Sequence, residues 1–106
     1  MINILFCDDN TEFLSILFGY VRDIIQNDYR NIFKDAKFYS YDNGSEVISF
    51  AERDRIDAIF LDIDMKDLTG FETAKRLLEI NGETLILFVS AYDQFVYDAF
   101  EFYPIA

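Results

Sequence analysis

The sequence predicts an α/β fold, a doubly wound parallel sheet with helices on both faces. Three observations carry that reading. Short apolar runs alternate with helix-patterned stretches in the order β-α-β-α-β-α-β-α. One run, Ile56–Ile63, is almost uninterruptedly apolar, as a central parallel strand buried on both faces should be. Two runs, "ILFCDDN" and "IFLDIDM", pass straight from apolar residues into acids, at Asp8-Asp9 and at Asp62 with Asp64.

Each element has a local reason. Met1–Cys7 is β-branched and apolar and reads as a strand. From Thr11 a helix follows, with Phe13, Ile16, Leu17, Tyr20, Val21, Ile24 and Ile25 at three- and four-residue spacing. Ala36–Tyr41 alternates in character and is expected as a strand at a sheet edge. Asn43 caps a short helix, with Glu46 as its capping-box partner. After the third strand, Thr69-Gly70-Phe71-Glu72 is a second capping box, opening a helix that Asn81-Gly82 ends. Thr84–Val89 is the fourth strand. A helix from about Asp93 to Phe102 places Val96, Ala99, Phe100 and Tyr103 on one face, and Pro104 stops it.

A chain of 106 residues suits one domain, residues 1–106, with a single core. Its longest apolar run, Leu85–Val89, is far below the roughly 20 residues of a membrane helix, so no membrane partner is expected. The N-terminus has no secretion signal, and a single cysteine, Cys7, cannot form an internal disulfide; a cytoplasmic location is expected. The net charge of −11 repels a phosphate backbone, so this stretch is not expected to contact nucleic acid. With no histidine, serine–histidine and cysteine–histidine machinery is excluded, and the commonest zinc ligand is missing. Carboxylates must carry the chemistry.

Open parallel sheets place ligands beyond the carboxyl ends of strands, where the winding direction switches. Asp8, Asp9 and Asp62 all stand at such ends. If they converge to about 5 Å, each like-charged pair costs roughly 3 kcal/mol at an effective dielectric of about 20. A hard divalent cation with oxygen ligands offsets that cost, and Mg²⁺, which shares its shell with phosphates, points to phosphoryl chemistry. The Asp64 side chain is expected to face solvent, leaving its backbone carbonyl for a metal. The plainer alternative is that these aspartates only start turns and cap helices. Gly70 reads as a turn glycine and Cys7 as a small buried apolar residue.

With "LFCDDN", "AIFLDIDM", Gly70 eight residues past Asp62, "LILFVSAYDQF" and "YDAFEFYPIA", the whole chain resembles the receiver domain of two-component response regulators, in detail those joined to LytTR-type DNA-binding domains. The resemblance implies a flavodoxin-like strand order 2-1-3-4, with the family's fifth strand and fifth helix missing. It implies that Asp62 is the phosphoacceptor, taking a phosphoryl group from the histidine of a sensor histidine kinase. It further implies Mg²⁺ as cofactor, with Asp9 a direct ligand, Asp8 a ligand through water, and the Asp64 carbonyl a third ligand beside Asp62. Ser90 would donate a hydrogen bond to the phosphoryl group, and Ala91 would leave the site accessible. On this resemblance the domain is a phosphoacceptor that assists its own modification, not an enzyme, and it switches a C-terminal output domain that binds DNA.

The family also carries a lysine after its fifth strand, with an aromatic switch residue before it, and the sequence reaches Ala106 before either. Lys66 stands where the family usually has proline. The fourth strand is expected to be an exposed apolar edge, so homodimerisation through it or through the fourth helix is the expected self-association. Two other functions stay open at this point. Asp62-Ile63-Asp64 resembles the nucleophile motif of haloacid-dehalogenase-type phosphohydrolases, though that family puts it on the first strand. A receiver-like interaction domain that is never phosphorylated is the other.

Overall fold

The computed structural model describes residues 2–29 and 34–89. Ser90, Ala91 and the helix expected over Asp93–Phe102 lie outside these residues. In chain order the elements are β1 (Ile2–Cys7), α1 (Thr11–Asp28), β2 (Ala36–Tyr41), α2 (Gly44–Arg53), β3 (Ala58–Asp62), α3 (Gly70–Ile80) and β4 (Leu85–Val89). The four strands form one sheet in the order β2-β1-β3-β4, and every pairing is parallel. The chain therefore winds one way from β1 to β2 and the other way through β3 to β4. The switch point lies between β1 and β3.

The burial pattern explains why these residues make this sheet. Leu5 and Phe6, on opposite faces of β1, have no solvent exposure, so β1 is covered on both faces; β3 is fully covered on the face of Ile59 and Leu61 and half-covered on that of Phe60. One face packs Leu5, Cys7, Ile59, Leu61, Ile86 and Phe88 under α2 and α3, which contribute Val47, Phe50, Ala74 and Leu77. On the other face Ile4 and Phe6 meet Leu14, Leu17, Phe18, Val21 and Ile25 of α1. Phe6 stacks on Phe60 at 4.9 Å and tilts against Phe18 at 5.1 Å, joining helix and sheet through aromatic contacts.

The helix α1 differs from its expected packing. Ile16 and Tyr20, read from their spacing as part of the apolar side, are 69% and 68% exposed. Leu17, Val21 and Ile25 do pack inward as their spacing predicts, and Leu14 and Phe18, which the spacing does not mark, join them. The helix carries two apolar stripes a third of a turn apart, and spacing alone rates them equally. The sheet chose the stripe whose Phe18 ring reaches Phe6 and Phe38.

The strand β3 is shorter than the expected Ile56–Ile63. Before it, Asp57 turns its carboxylate to the Asn3 N–H at 2.8 Å and the Arg55 Nε at 2.9 Å. After it, Ile63 and Met65 are buried off the end of the strand, at 6% and 4% exposure. Thr69 and Glu72 form the full reciprocal capping box at the start of α3. At α2, the Asn43 side chain accepts the Glu46 N–H at 2.9 Å, but the reciprocal bond from the Asn43 N–H to the Glu46 carboxylate is not among those of the described residues; the Gly44 and Ser45 N–H groups donate to Asp67. No helix of the described residues is long and apolar enough to cross a membrane.

Candidate functional site

Cys7 on β1 lies opposite Leu61 on β3 in parallel register. The residues that follow, Asp8 and Asp62, therefore leave the sheet side by side at its carboxyl edge. The Asp8 N–H donates to the Tyr41 carbonyl at 3.2 Å, which holds this exit against the end of β2. Asp9 follows on the same turn. One carboxylate oxygen from each of Asp8, Asp9 and Asp62 lies within 4.8 Å of the other two. Asp8 and Asp62 are buried, at 3% and 6% exposure, while Asp9 is half-buried on the accessible side.

Burial without a counter-charge has an electrostatic consequence. Burial first, and then the negative charge of Asp8, push the Asp62 carboxyl up to about 7, against the opposing hydrogen bond from the Asp64 N–H. Burial also raises Asp8, while the Asn10 N–H, donating to its Oδ1 at 2.8 Å, pulls it down. A hydrogen bond between the two carboxyls favours the ionised form of Asp8 and the protonated form of Asp62. Without a counter-charge, burial and the neighbouring Asp8 favour the protonated form of Asp62.

Asp64 stands apart from this group. Its side chain is exposed, and its N–H points back to the Asp62 Oδ1 at 3.4 Å. Lys66 is exposed in the same loop, and Ser90 lies outside the described residues. Cys7 is buried with its Sγ donating to the Met65 Sδ at 3.4 Å; burial, followed by the surrounding carboxylates, pushes the thiol up and leaves it unreactive. Gly70 is required for space rather than for its backbone angles, since no described glycine has positive φ. A Cβ there would collide with the Asp62 carbonyl oxygen and lie 2.8 Å from the Ile63 Cα. The start of α3 thus sits flush against the chain leaving Asp62, and the Gly70 N–H donates to the Ile63 carbonyl at 2.8 Å.

One participant was not found from the sequence. Asp67 accepts hydrogen bonds from the Gly44 N–H, the Ser45 N–H and the Ser45 hydroxyl, so it ties the loop after β3 to the start of α2. Nothing in its neighbourhood in sequence marks that partner, twenty-two residues away from Ser45.

The donor set suits a hard cation. Three carboxylate oxygens can contact one ion, and the two buried groups, Asp8 and Asp62, have their pKa raised by burial and then by neighbouring charge. Asp8, Asp9 and Asp62 are the residues that would hold it.

Comparison with known proteins bears on what such a site does. The family described as the response regulator receiver domain matches residues 4–102. An uncharacterized response regulatory protein of Vibrio cholerae is 38% identical over 66 residues, covering 62% of this chain and 25% of its own length. The sensory transduction protein LytR of Streptococcus mutans is 33% identical over 99 residues, covering 93% of this chain and 38% of its own. The chain thus spans between a quarter and two-fifths of the length of these relatives. Among solved structures, the Thermotoga maritima response regulator TrrA in complex with Mg²⁺ and beryllium fluoride superposes with a TM-score of 0.72 at 20% identity, covering 95% of this chain and 80% of that one. The same regulator in complex with the histidine kinase ThkA superposes at 0.68 and 22% identity, covering 88% and 72%. At these identities the structural matches show the fold.

Proposed function

The chain belongs to the response regulator receiver family, and from that premise we propose that residues 1–106 act as a phosphoacceptor switch. Asp62 receives a phosphoryl group from the histidine of a sensor kinase in a Mg²⁺-dependent step. The observation that carries this reading is the convergence of Asp8, Asp9 and Asp62 at the switch point, with Asp62 held near neutrality by burial and by Asp8.

Without a counter-charge, burial and Asp8 favour the protonated form of Asp62, which is a poor nucleophile. When bound, Mg²⁺ supplies positive charge that favours the carboxylate forms and neutralises the phosphoryl oxygens. Asp62, having released its proton, attacks phosphorus through one carboxylate oxygen. The new O–P bond forms as the P–N bond of the donor phosphohistidine breaks, and the leaving imidazole takes up a proton. Asp8, held by the Asn10 N–H, keeps its charge directed at the site. The Asp64 N–H steadies the second Asp62 oxygen, and the Asp64 carbonyl is assigned as a further metal contact. Ser90 is assigned the hydrogen bond to the transferred group.

TrrA supports the metal and the kinase as partners by analogy, and LytR-type relatives support a transcriptional output beyond this domain, of the LytTR kind. The proposal includes a cytoplasmic location and self-association through β4, whose Leu85 is 57% exposed. Light scattering on a size-exclusion column tests the last point, with a concentrated monomer as the contrary result. The haloacid-dehalogenase reading is set aside: the acid pair it needs is Asp62 and Asp64, and Asp64 stands outside the cluster.

The test is incubation with acetyl phosphate, with and without Mg²⁺, followed by intact-mass measurement. A gain of one phosphoryl group that requires the metal and disappears in Asp62→Asn supports the switch. Repeated turnover of a small phosphate ester, or no gain from acetyl phosphate, refutes it.

A further inference from the structure

We propose that Asp67 is a positioning residue of the metal-binding carboxylate site, holding the loop after Asp62 by clamping it to the first turn of α2. This rests on the reading that Asp62 and the Asp64 carbonyl take part in binding Mg²⁺.

The loop Ile63–Thr69 has to deliver a backbone carbonyl at Asp64 although Asp64 itself is exposed. Its inner side is fixed by burial of Ile63 and Met65 and by the Cys7–Met65 contact. Its far end is fixed by the Gly70 N–H on the Ile63 carbonyl and by Thr69 capping α3. The outward part, from Lys66 to Leu68, is tied by Asp67. The Asp67 Oδ1 accepts the Gly44 N–H at 3.2 Å, and its Oδ2 accepts the Ser45 N–H at 3.1 Å and the Ser45 hydroxyl at 2.8 Å.

The two backbone donors are unpaired N–H groups at the start of a ten-residue helix, where an anion is favoured. Partial burial pushes the Asp67 carboxyl up, but the hydrogen bonds from Leu68, Ser45 and Gly44 outweigh it and hold the group down at about 2. The clamp is therefore charged at any pH at which the domain works. Contact behind it is close. A Cβ on Gly44 would collide with the Thr73 Oγ1 and lie 3.1 Å from the Leu68 Cβ, so α2 presses directly on the loop and on α3. Releasing Asp67 removes the outer tether of the loop and leaves the Asp64 peptide held only by the buried Ile63 and Met65 on either side of it.

Calorimetric titration of the full chain with Mg²⁺ tests this, together with hydrogen exchange of the amides of residues 64–68. Asp67→Ala is expected to weaken Mg²⁺ binding about tenfold, as loss of a group orienting a ligand does, and to speed exchange in the loop. Asp67→Asn keeps one acceptor and should fall between. Ser45→Ala leaves the Asp67 charge in place and removes only the 2.8 Å bond; it should weaken binding roughly threefold. Unchanged affinity in both Ser45→Ala and Asp67→Asn overturns the clamp while leaving the metal site standing. Weakening in the Asp67 variants alone assigns the effect to charge and also overturns it. Absence of Mg²⁺ binding by the unsubstituted chain overturns this inference and the metal-site reading together. If Asp67→Ala does not fold, Ser45→Ala decides.

Discussion

Replacing Asp62 by Asn should stabilise the metal-free domain at neutral pH and remove a specific part of its pH dependence. An ordinary aspartate titrates at 3.8, and in the folded chain Asp62 is pushed up to about 7. Between those values the folded state keeps a proton that the unfolded state has released. Stability therefore falls as pH rises through this window, and it levels off above the folded-state value. A shift of this size corresponds to about 4 kcal/mol at full strength. Asp9 opens one side of the cluster to water, which screens the repulsion, so about 2–4 kcal/mol is expected between pH 4 and pH 8. Urea unfolding of the chain and of Asp62→Asn in EDTA, across that range, isolates the effect as a difference. The two curves should nearly meet near pH 4 and separate as pH rises, the variant being the more stable. Asp67, held down at about 2, contributes the opposite slope at the acid end but is common to both proteins and cancels. Parallel curves would show that Asp62 is not repelled by its neighbours and would remove the electrostatic argument.

Gly70→Ala should lower unfolding free energy by about 1–3 kcal/mol, because its Cβ has no space against Asp62 and Ile63; an unchanged urea midpoint would refute the close approach. Thr69→Ala removes the cap on α3 and should cost about 1 kcal/mol in the same assay, and a neutral effect would show that the box is ornamental. Phe6→Ala empties a site with no exposure between α1 and Phe60 and should cost about 3–5 kcal/mol. A cost below 1 kcal/mol would mean that the α1 face is not a packed layer.

What was legible in the sequence follows the range of the interactions involved. The Thr69–Glu72 box is local, and its residues carry it openly. The approach of Asp8 to Asp62 is long-range, but it was still readable, because the end of each apolar run marks where a strand leaves the sheet. The buried side of α1 was only partly readable, since Leu17, Val21 and Ile25 follow the spacing while Leu14 and Phe18 do not. Its two apolar stripes differ only in what they meet across the sheet, and Ile16 and Tyr20 were assigned inward where the fold turns them out. Asp67 was invisible for a related reason: its partners at Gly44 and Ser45 come from another element, and no spacing connects them. Gly70 was noticed, but its reason was misjudged. The lack of room for a Cβ against Asp62, not an unusual φ, makes it necessary.

If Asp62 is the phosphoacceptor proposed above, a divalent cation displaces the proton that burial and Asp8 favour on it. Titration with Mg²⁺ at pH 6 in two buffers of different ionisation enthalpy measures ion uptake and proton release together. One ion per chain is expected, with release of close to one proton, and loss of that proton release in Asp62→Asn. No uptake, or equal proton release from chain and variant, would contradict it.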